Sequence, residues 1–464
     1  MDESVSREQH DAVVAQLAAA NARIAELEQQ VAKLVEEKGR NSSNSNKPPS
    51  SDSPKNRAER RAAKAKERSG KKRGGQPGHE GSQRALVVPD QVEHHFPDEC
   101  ENCFKPLPKT PDASPLRYQT TELPPVKPHT LEHQVHCVTC LHCRHKTTAV
   151  FEIPPGFGPR LWSVIALLTG VFHMSRRSAG TLLSDVLGVE ISLGALSSVE
   201  ARVSEAVAPA VEEAWQHVID SDVKHTDGTS WYQAGASRAL WVIASATATV
   251  FKILASGSKD LIEPLFRKRK RGVLVSDRAA ALMFWSMHMR QICWAHLLRK
   301  FIAFSERGGA AATLGRELLD YVKIMFAYWD DFRAGKLTRE ELRTSMAPVR
   351  VQVEALLQRG ATSQLEHVAG SCEDIVAHMA ALWTFVEVEG VDPTNNHGER
   401  ELRAFVIWRK RCFGTQSDRG NVFAERLMTV AHTARKQKKN VLEFLVACCT
   451  AARDGAKVPS LFAA

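Results

Sequence analysis

With 464 residues and 43% hydrophobic side chains the chain is long enough to build several domains with real cores, which excludes disorder throughout. The N-terminus, Met1-Asp-Glu-Ser-Val-Ser-Arg7, has no apolar leader, and no run reaches the ~18 uninterrupted apolar residues of a membrane helix, so the expectation is a cytoplasmic protein with no membrane partner. The net charge of +9 is concentrated in residues 54–73, where ten Lys/Arg face two Glu; that pattern suits either a solvated tail or a segment that binds a polyanion, since each neutralised phosphate releases counterions.

From residue 13, apolar side chains recur at Val13, Leu17, Ala20, Ile24, Leu27, Val31 and Leu34 in alternating steps of four and three. This heptad seam, with β-branched residues or Leu at a and Leu at d, predicts a parallel two-stranded coiled coil over residues 8–38; a solitary amphipathic helix is the alternative. Residues 39–84 read as a disordered basic linker, opening with Asn41-Ser-Ser-Asn-Ser-Asn-Lys-Pro-Pro-Ser-Ser-Asp52 and closing with Gly74-Gly-Gln-Pro-Gly-His79. Its Arg60, Arg61, Lys71, Lys72 and Arg73 are candidate phosphate contacts.

Residues 85–152 carry Cys100-x2-Cys103 and then Cys137-x2-Cys140-x2-Cys143. In a chain without an export signal, paired C-x2-C knuckles bind metal more often than they form disulfides, and four thiolates close a structural tetrahedral zinc site. Three cysteines compete for two places in the second knuckle; Cys140 and Cys143 are favoured, with Cys137 as the spare or substitute. Residues 158–218 turn helical, and Ser175 to Gly188 followed by the Ser192 segment reads as helix, glycine turn and Ser-capped helix. Both a helix-turn-helix and an ordinary helical hairpin fit that pattern.

Val223-Lys-His-Thr-Asp227 and the apolar, β-branched run Leu240–Leu254 look like adjacent strands of one sheet. Gly272-Val-Leu-Val-Ser-Asp277 is a second short buried strand ending in an aspartate, and Gln291-Ile-Cys-Trp-Ala-His296 a further strand candidate. Two buried carboxylates repel each other unless a cation neutralises them. A third acid stands in Asn395-Asn-His-Gly-Glu399-Arg-Glu-Leu-Arg403, where helical spacing sets Asn395, Asn396, Leu402 and Arg403 beside Glu399 and turns Glu401 elsewhere. Asp227, Asp277 and Glu399 together suit two Mg2+ or Mn2+ ions about 3.5–4 Å apart. Cys293 and His296 resemble half a metal site with no partner pair and read as a packed strand end; His225 reads as a buried structural histidine.

The Asn41–Asp52 and Gly74–His79 stretches, the two knuckles, Cys293-Trp-Ala-His296 and Asn395-Asn-x-x-Glu-Arg-x-Leu-Arg403 occur in this order, and together they resemble the transposases of the insertion sequence 66 family over nearly the whole chain. The resemblance implies an RNase H-like α/β catalytic core of the DDE type over residues 219–425, with its first aspartate at Asp227, its second at Asp277 and its glutamate at Glu399. It also implies a helical insertion over about 297–390, which fits the 122 positions separating the last two acids, and C-terminal helices over 426–464. His225-Thr-Asp227-Gly-Thr departs from the more usual Asp-Glu-Thr, and Cys137 is an addition.

The resulting expectation is a transposase that uses two metal ions to cut DNA at the ends of an insertion sequence and to join the freed 3′ ends to target DNA. Its partners would be terminal inverted repeats, target DNA and a second or further copy of itself, in a bacterial, nucleoid-associated setting; companion proteins of the same element are candidates too. Arg400 and Arg403, with Arg267-Lys-Arg-Lys-Arg271 and Arg409-Lys-Arg411, would grip phosphates near the acids. Two rivals stand beside this reading: a non-catalytic zinc DNA-binding relative, and an RNase H-like nuclease that cuts without joining.

Overall fold

The computed structural model describes residues 7–45, 84–266 and 270–463. Arg60, Arg61, Lys71, Lys72, Arg73, the Gly74–His79 segment and Arg267-Lys-Arg269 lie outside the described residues. Helix α1 runs Arg7–Gly39, and its seam residues Leu17, Ile24, Leu27 and Val31 are all exposed. After it the chain turns tightly: the Asn41 side chain accepts from the Ser43 amide at 2.8 Å and the Asn44 side chain from the Asn41 amide at 2.8 Å. The expected linker therefore begins with an ordered turn, because Asx side chains supply the backbone with local acceptors.

Residues 84–157 hold a single short hairpin, β1 (Cys137–Thr139) and β2 (Lys146–Thr148), and are almost wholly exposed. Four helices follow: α2 (Pro159–Ala166), α3 (Arg176–Leu187), α4 (Leu193–Ala206) and α5 (Ala208–Asp220). Ser175 and Ser192 cap α3 and α4 by accepting the Ser178 and Ala195 amides, and Gly188 ends α3 with φ 62°. The outward residues of α4 are Leu193, Gly194, Ser198, Arg202 and Glu205, and Arg202, the cation among them, lies over the Trp162 ring at 4.8 Å.

A five-stranded mixed sheet forms the centre: β3 (Val223–Gln233), β4 (Ala236–Ala244), β5 (Thr249–Leu254), β6 (Val273–Ser276) and β7 (Arg290–Ile292), in the order β5-β4-β3-β6-β7. β3, β4 and β5 are antiparallel neighbours, and β6 and β7 run parallel to β3. The Leu240–Leu254 run is thus two strands. Ser245 reverses it, its Oγ accepting the Ala248 amide at 3.1 Å, a turn hidden among apolar neighbours. The Gln291–His296 candidate is likewise short, since α6 (Trp294–Ser305) begins where β7 stops.

Alternation along the strands divides the core. Trp241, Ile243, Val250 and Leu274 face a cluster shared with α2–α5 and the C-terminal helices α11 (Asp418–Lys436) and α12 (Val441–Arg453), so the helical segment packs directly on the sheet. On the other face, Val273, Val275 and Ile292 meet α6 and the inserted helices α7 (Gly309–Arg333), α8 (Arg339–Ala361) and α9 (Ala369–Val376). Leu240, Val242 and Phe251 meet Leu402, Phe405 and Trp408 of α10 (Asn396–Cys412).

Side chains bond to the outer strands at both sheet edges. Thr433, Thr429 and Glu425 of α11 accept the amides of Thr249, Phe251 and Ile253 on β5. At β7, Thr384 donates to the Arg290 carbonyl at 2.5 Å and the Gln291 side chain accepts the Phe385 amide at 2.8 Å.

Candidate active site

Parallel register sets the first two acids. Because Val223, Lys224 and His225 pair with Val273, Leu274 and Val275, continuing both strands by two residues brings Asp227 level with Asp277. The Gly228 amide donates to Asp227 Oδ1 at 2.9 Å and the Ala279 amide to Asp277 Oδ1 at 2.9 Å. Buried Arg290 braces the end of β6, one Nη donating to Ser276 Oγ and to the Asp277 carbonyl, both at 2.9 Å. A cleft of about 480 Å³ opens alongside, lined by Gly228, Thr229, Arg238, Trp241 and Asp277.

The third acid arrives on the first turn of α10, and Asn395 places it. Its Nδ2 donates to the Thr226 carbonyl at 2.8 Å, its Oδ1 lies 3.1 Å from His225 Nδ1, its amide donates to Cys293 Sγ at 3.1 Å, and its carbonyl accepts the Glu399 amide at 3.1 Å. One buried residue, through its side chain and its backbone, thus ties β3, the start of α6 and the start of α10 together. Gly398 is required here, since a Cβ would come within 2.9 Å of Asn395 Oδ1. His225 is buried between Asn395 and the His397 ring, 4.9 Å away, which makes it structural.

The electrostatics are unbalanced. Burial, then the charges of Asp277 and Glu399, push the Asp227 carboxyl up to about 7. Glu399 Oε1 is buried with no hydrogen-bond partner, as is His296 Nδ1 at 3.7 Å from it, and Arg299 lies 3.8 Å from Oε2. The acceptor is therefore vacant on a carboxylate that also repels Asp227. Glu401, by contrast, is satisfied on the far side. Burial raises its pKa, but the hydrogen bond from His432 at 2.5 Å and the charge of Lys436 at 3.3 Å outweigh this and hold it at about 2.

Among the described residues, the metal-capable side chains whose ligand atoms all lie within 4.8 Å of one another are Cys293, His296 and Glu399, so the Glu399 carboxylate leans toward α6. Burial pushes the Cys293 thiol up to about 11, and its sulfur already accepts the Asn395 amide. It is a packed thiol, as its place at a strand end implied, but His296 does have a partner in Glu399. Spacing hid that pair because about a hundred residues of inserted helices separate them, and Arg299 was missed for the same reason. Arg400 and Arg403 point outward from α10.

The transposase IS66 family matches residues 156–422. The chain belongs to the IS66 transposase family. The matched span contains all three acids, the sheet and the insertion, and membership implies that this enzyme processes DNA with the help of divalent metal. A family of unknown function, DUF6444, matches residues 2–85. No curated protein matches the chain. No helix among the described residues of this IS66-family chain is long and apolar enough to cross a membrane.

The cysteine knuckles lie outside the IS66 match, and they are twins. The Cys100 amide donates to the Lys105 carbonyl and the Phe104 amide to the Cys100 carbonyl, both at 2.9 Å. In the second, the Cys140 amide donates to the His145 carbonyl at 2.8 Å and the Arg144 amide to the Cys140 carbonyl at 2.9 Å. Phe104 and Arg144 both turn with positive φ, 53° and 62°. Hydrogen bonds from Asn102 and Cys103 lower the Cys100 pKa, and those from Cys143 and His142 lower that of Cys140. Cys137 sits outside the turn, on β1. The two knuckles do not converge on one point among the described residues.

Proposed function

We propose that this chain cuts DNA at the ends of its insertion sequence and transfers the freed strands to target DNA, with Asp227, Asp277 and Glu399 as ligands of two Mg2+ or Mn2+ ions. The observation that carries the reading is the imbalance among the acids: an Asp227 carboxyl raised to about 7 by burial and then by its acidic neighbours, with a buried Glu399 oxygen that accepts no hydrogen bond. Hard divalent cations fit that oxygen-rich set, and when bound they activate a water or 3′-hydroxyl and offset charge on the leaving oxygen. The protein's own part is placement. Arg290 fixes the Asp277 strand end, Asn395 fixes the helix that bears Glu399, and Arg299 tempers the negative charge.

The antiparallel trio β3-β4-β5 extended by two parallel strands supports an RNase H-like core. Twin turns support a structural zinc held by Cys100, Cys103, Cys140 and Cys143, with Cys137 left over. The exposed α1 seam supports pairing of two copies through a coiled coil, and the basic linker with exposed Arg400 and Arg403 would track DNA phosphates.

The deciding experiment is Asp277→Asn on DNA carrying the element's ends. Cleavage in Mg2+ and Mn2+ should vanish while DNA binding persists, whereas cleavage at the wild-type rate would end the reading. Scoring the wild-type products for joined strands separates a transposase from a nuclease that only cuts.

A further inference from the structure

Beside the acidic strand ends, α6 carries a second concentration of charge of opposite sign. Arg278 follows Asp277 directly; its Nε donates to Asp374 at 2.8 Å, yet its Nη1 is buried with no hydrogen-bond partner. Lys300 lies one turn beyond His296, on the same face of α6. It is half-buried and makes no hydrogen bond or ion pair among the described residues. Burial, then the like charges of Arg278, Arg40 and Arg307, hold its pKa below the ordinary lysine range, with Asp374 opposing them.

Arg40 acts on this cluster although it is distant in the chain. The turn that follows α1 is seated on the last turn of α6: Asn44 Nδ2 donates to Glu306 Oε2 at 2.7 Å, and Ser42 is buried. A site made of an ammonium without a partner, a guanidinium with a spare buried donor and further cations at hand is crowded while empty. Phosphodiester oxygens relieve such crowding, since they accept charge-assisted hydrogen bonds and cancel the repulsion.

We propose that Arg278, Lys300 and Arg40 form a phosphate-binding station for the DNA backbone beside the Asp277 strand end, complete only when the Asn41–Ser45 turn is docked on α6. The proposal rests on the DNA-binding part of the reading above and is independent of the cleavage chemistry. It makes the end of α1 part of the substrate site, so DNA binding and the position of the N-terminal helix are linked.

The test is binding of a short random-sequence duplex by the full chain, without divalent ion, over a series of salt concentrations. Lys300→Gln removes one phosphate contact, so the salt slope should flatten by about 0.9 and affinity at physiological salt should fall about five-fold. The variant's melting temperature should hold or rise, because a repelled charge has gone. Asn44→Ala should also weaken binding by freeing the turn that bears Arg40, and combining the two should cost less than the sum of their separate effects. A Lys300→Gln protein with the wild-type slope overturns the station, and strict additivity overturns the role of the turn. A wild-type chain that binds no duplex at any salt would instead sink the DNA reading itself, a distinguishable result.

Discussion

The three acids and the cysteine knuckles are built by opposite means. Each knuckle is made within six residues by its own backbone, lies in an almost fully exposed segment, and owes nothing to a core. The acids at 227, 277 and 399 come from three elements far apart in the chain, are set by the packing of those elements on the sheet, and depend on Asn395 to fix the helix that bears the last of them. A local turn takes its shape from a few neighbouring backbone bonds, whereas a long-range arrangement is set by packing between distant elements.

The sharpest way to break this contrast is Glu399→Gln. Strand cleavage should fall by about 10³-fold or more, as expected when a group used only in the chemical step is lost. Because the substitution also removes a repelling charge next to Asp227, thermal stability of the metal-free protein should hold or rise. A large drop in stability would mean that the acids are structural.

A smaller effect is expected from the knuckles. Cys140→Ser should release zinc and expose residues 84–157 to protease while the sheet domain melts at its usual temperature; Cys137→Ser should do neither. Zinc content by elemental analysis, together with limited proteolysis, reads both variants. Loss of zinc in Cys137→Ser would reassign the second knuckle.

The smallest and most diagnostic effect is on pH dependence. The folded pKa of Asp227 stands near 7, above the usual carboxylate value, so its contribution is fully present below the unfolded-state pKa and is lost as pH rises through about 7. Melting temperature of the metal-free protein should therefore decline between about pH 4 and 7, and Asp227→Asn should flatten that decline. Mg2+ should stabilise more at the upper end, since it needs the ionised acid. A decline unchanged in Asp227→Asn would place the strain elsewhere.

Much of this was legible from residues alone, for identifiable reasons. Ser175, Gly188 and Ser192 announce two capped helices because capping is a local bond. Asp277 ends a short apolar, β-branched run, Asp227 follows Val223-Lys-His-Thr, and Glu399 lies in a motif with Asn395, so their positions in the chain were plain. What spacing did not disclose is anything that crosses the insertion: His296 and Arg299 meeting Glu399, or Asn44 resting on Glu306. Ser245 was overlooked because a turn made by a single hydroxyl leaves no Gly or Pro to mark it.

The hydroxyl and carboxylate groups of α11 that occupy the backbone of β5, matched by Thr384 and Gln291 at β7, have a consequence for assembly. With the Thr249, Phe251 and Ile253 amides taken, the β5 border cannot lengthen by recruiting a strand from a neighbouring molecule. Any copies of the chain that associate must join through surfaces other than this border, which leaves the sheet undeformed by the act of coming together.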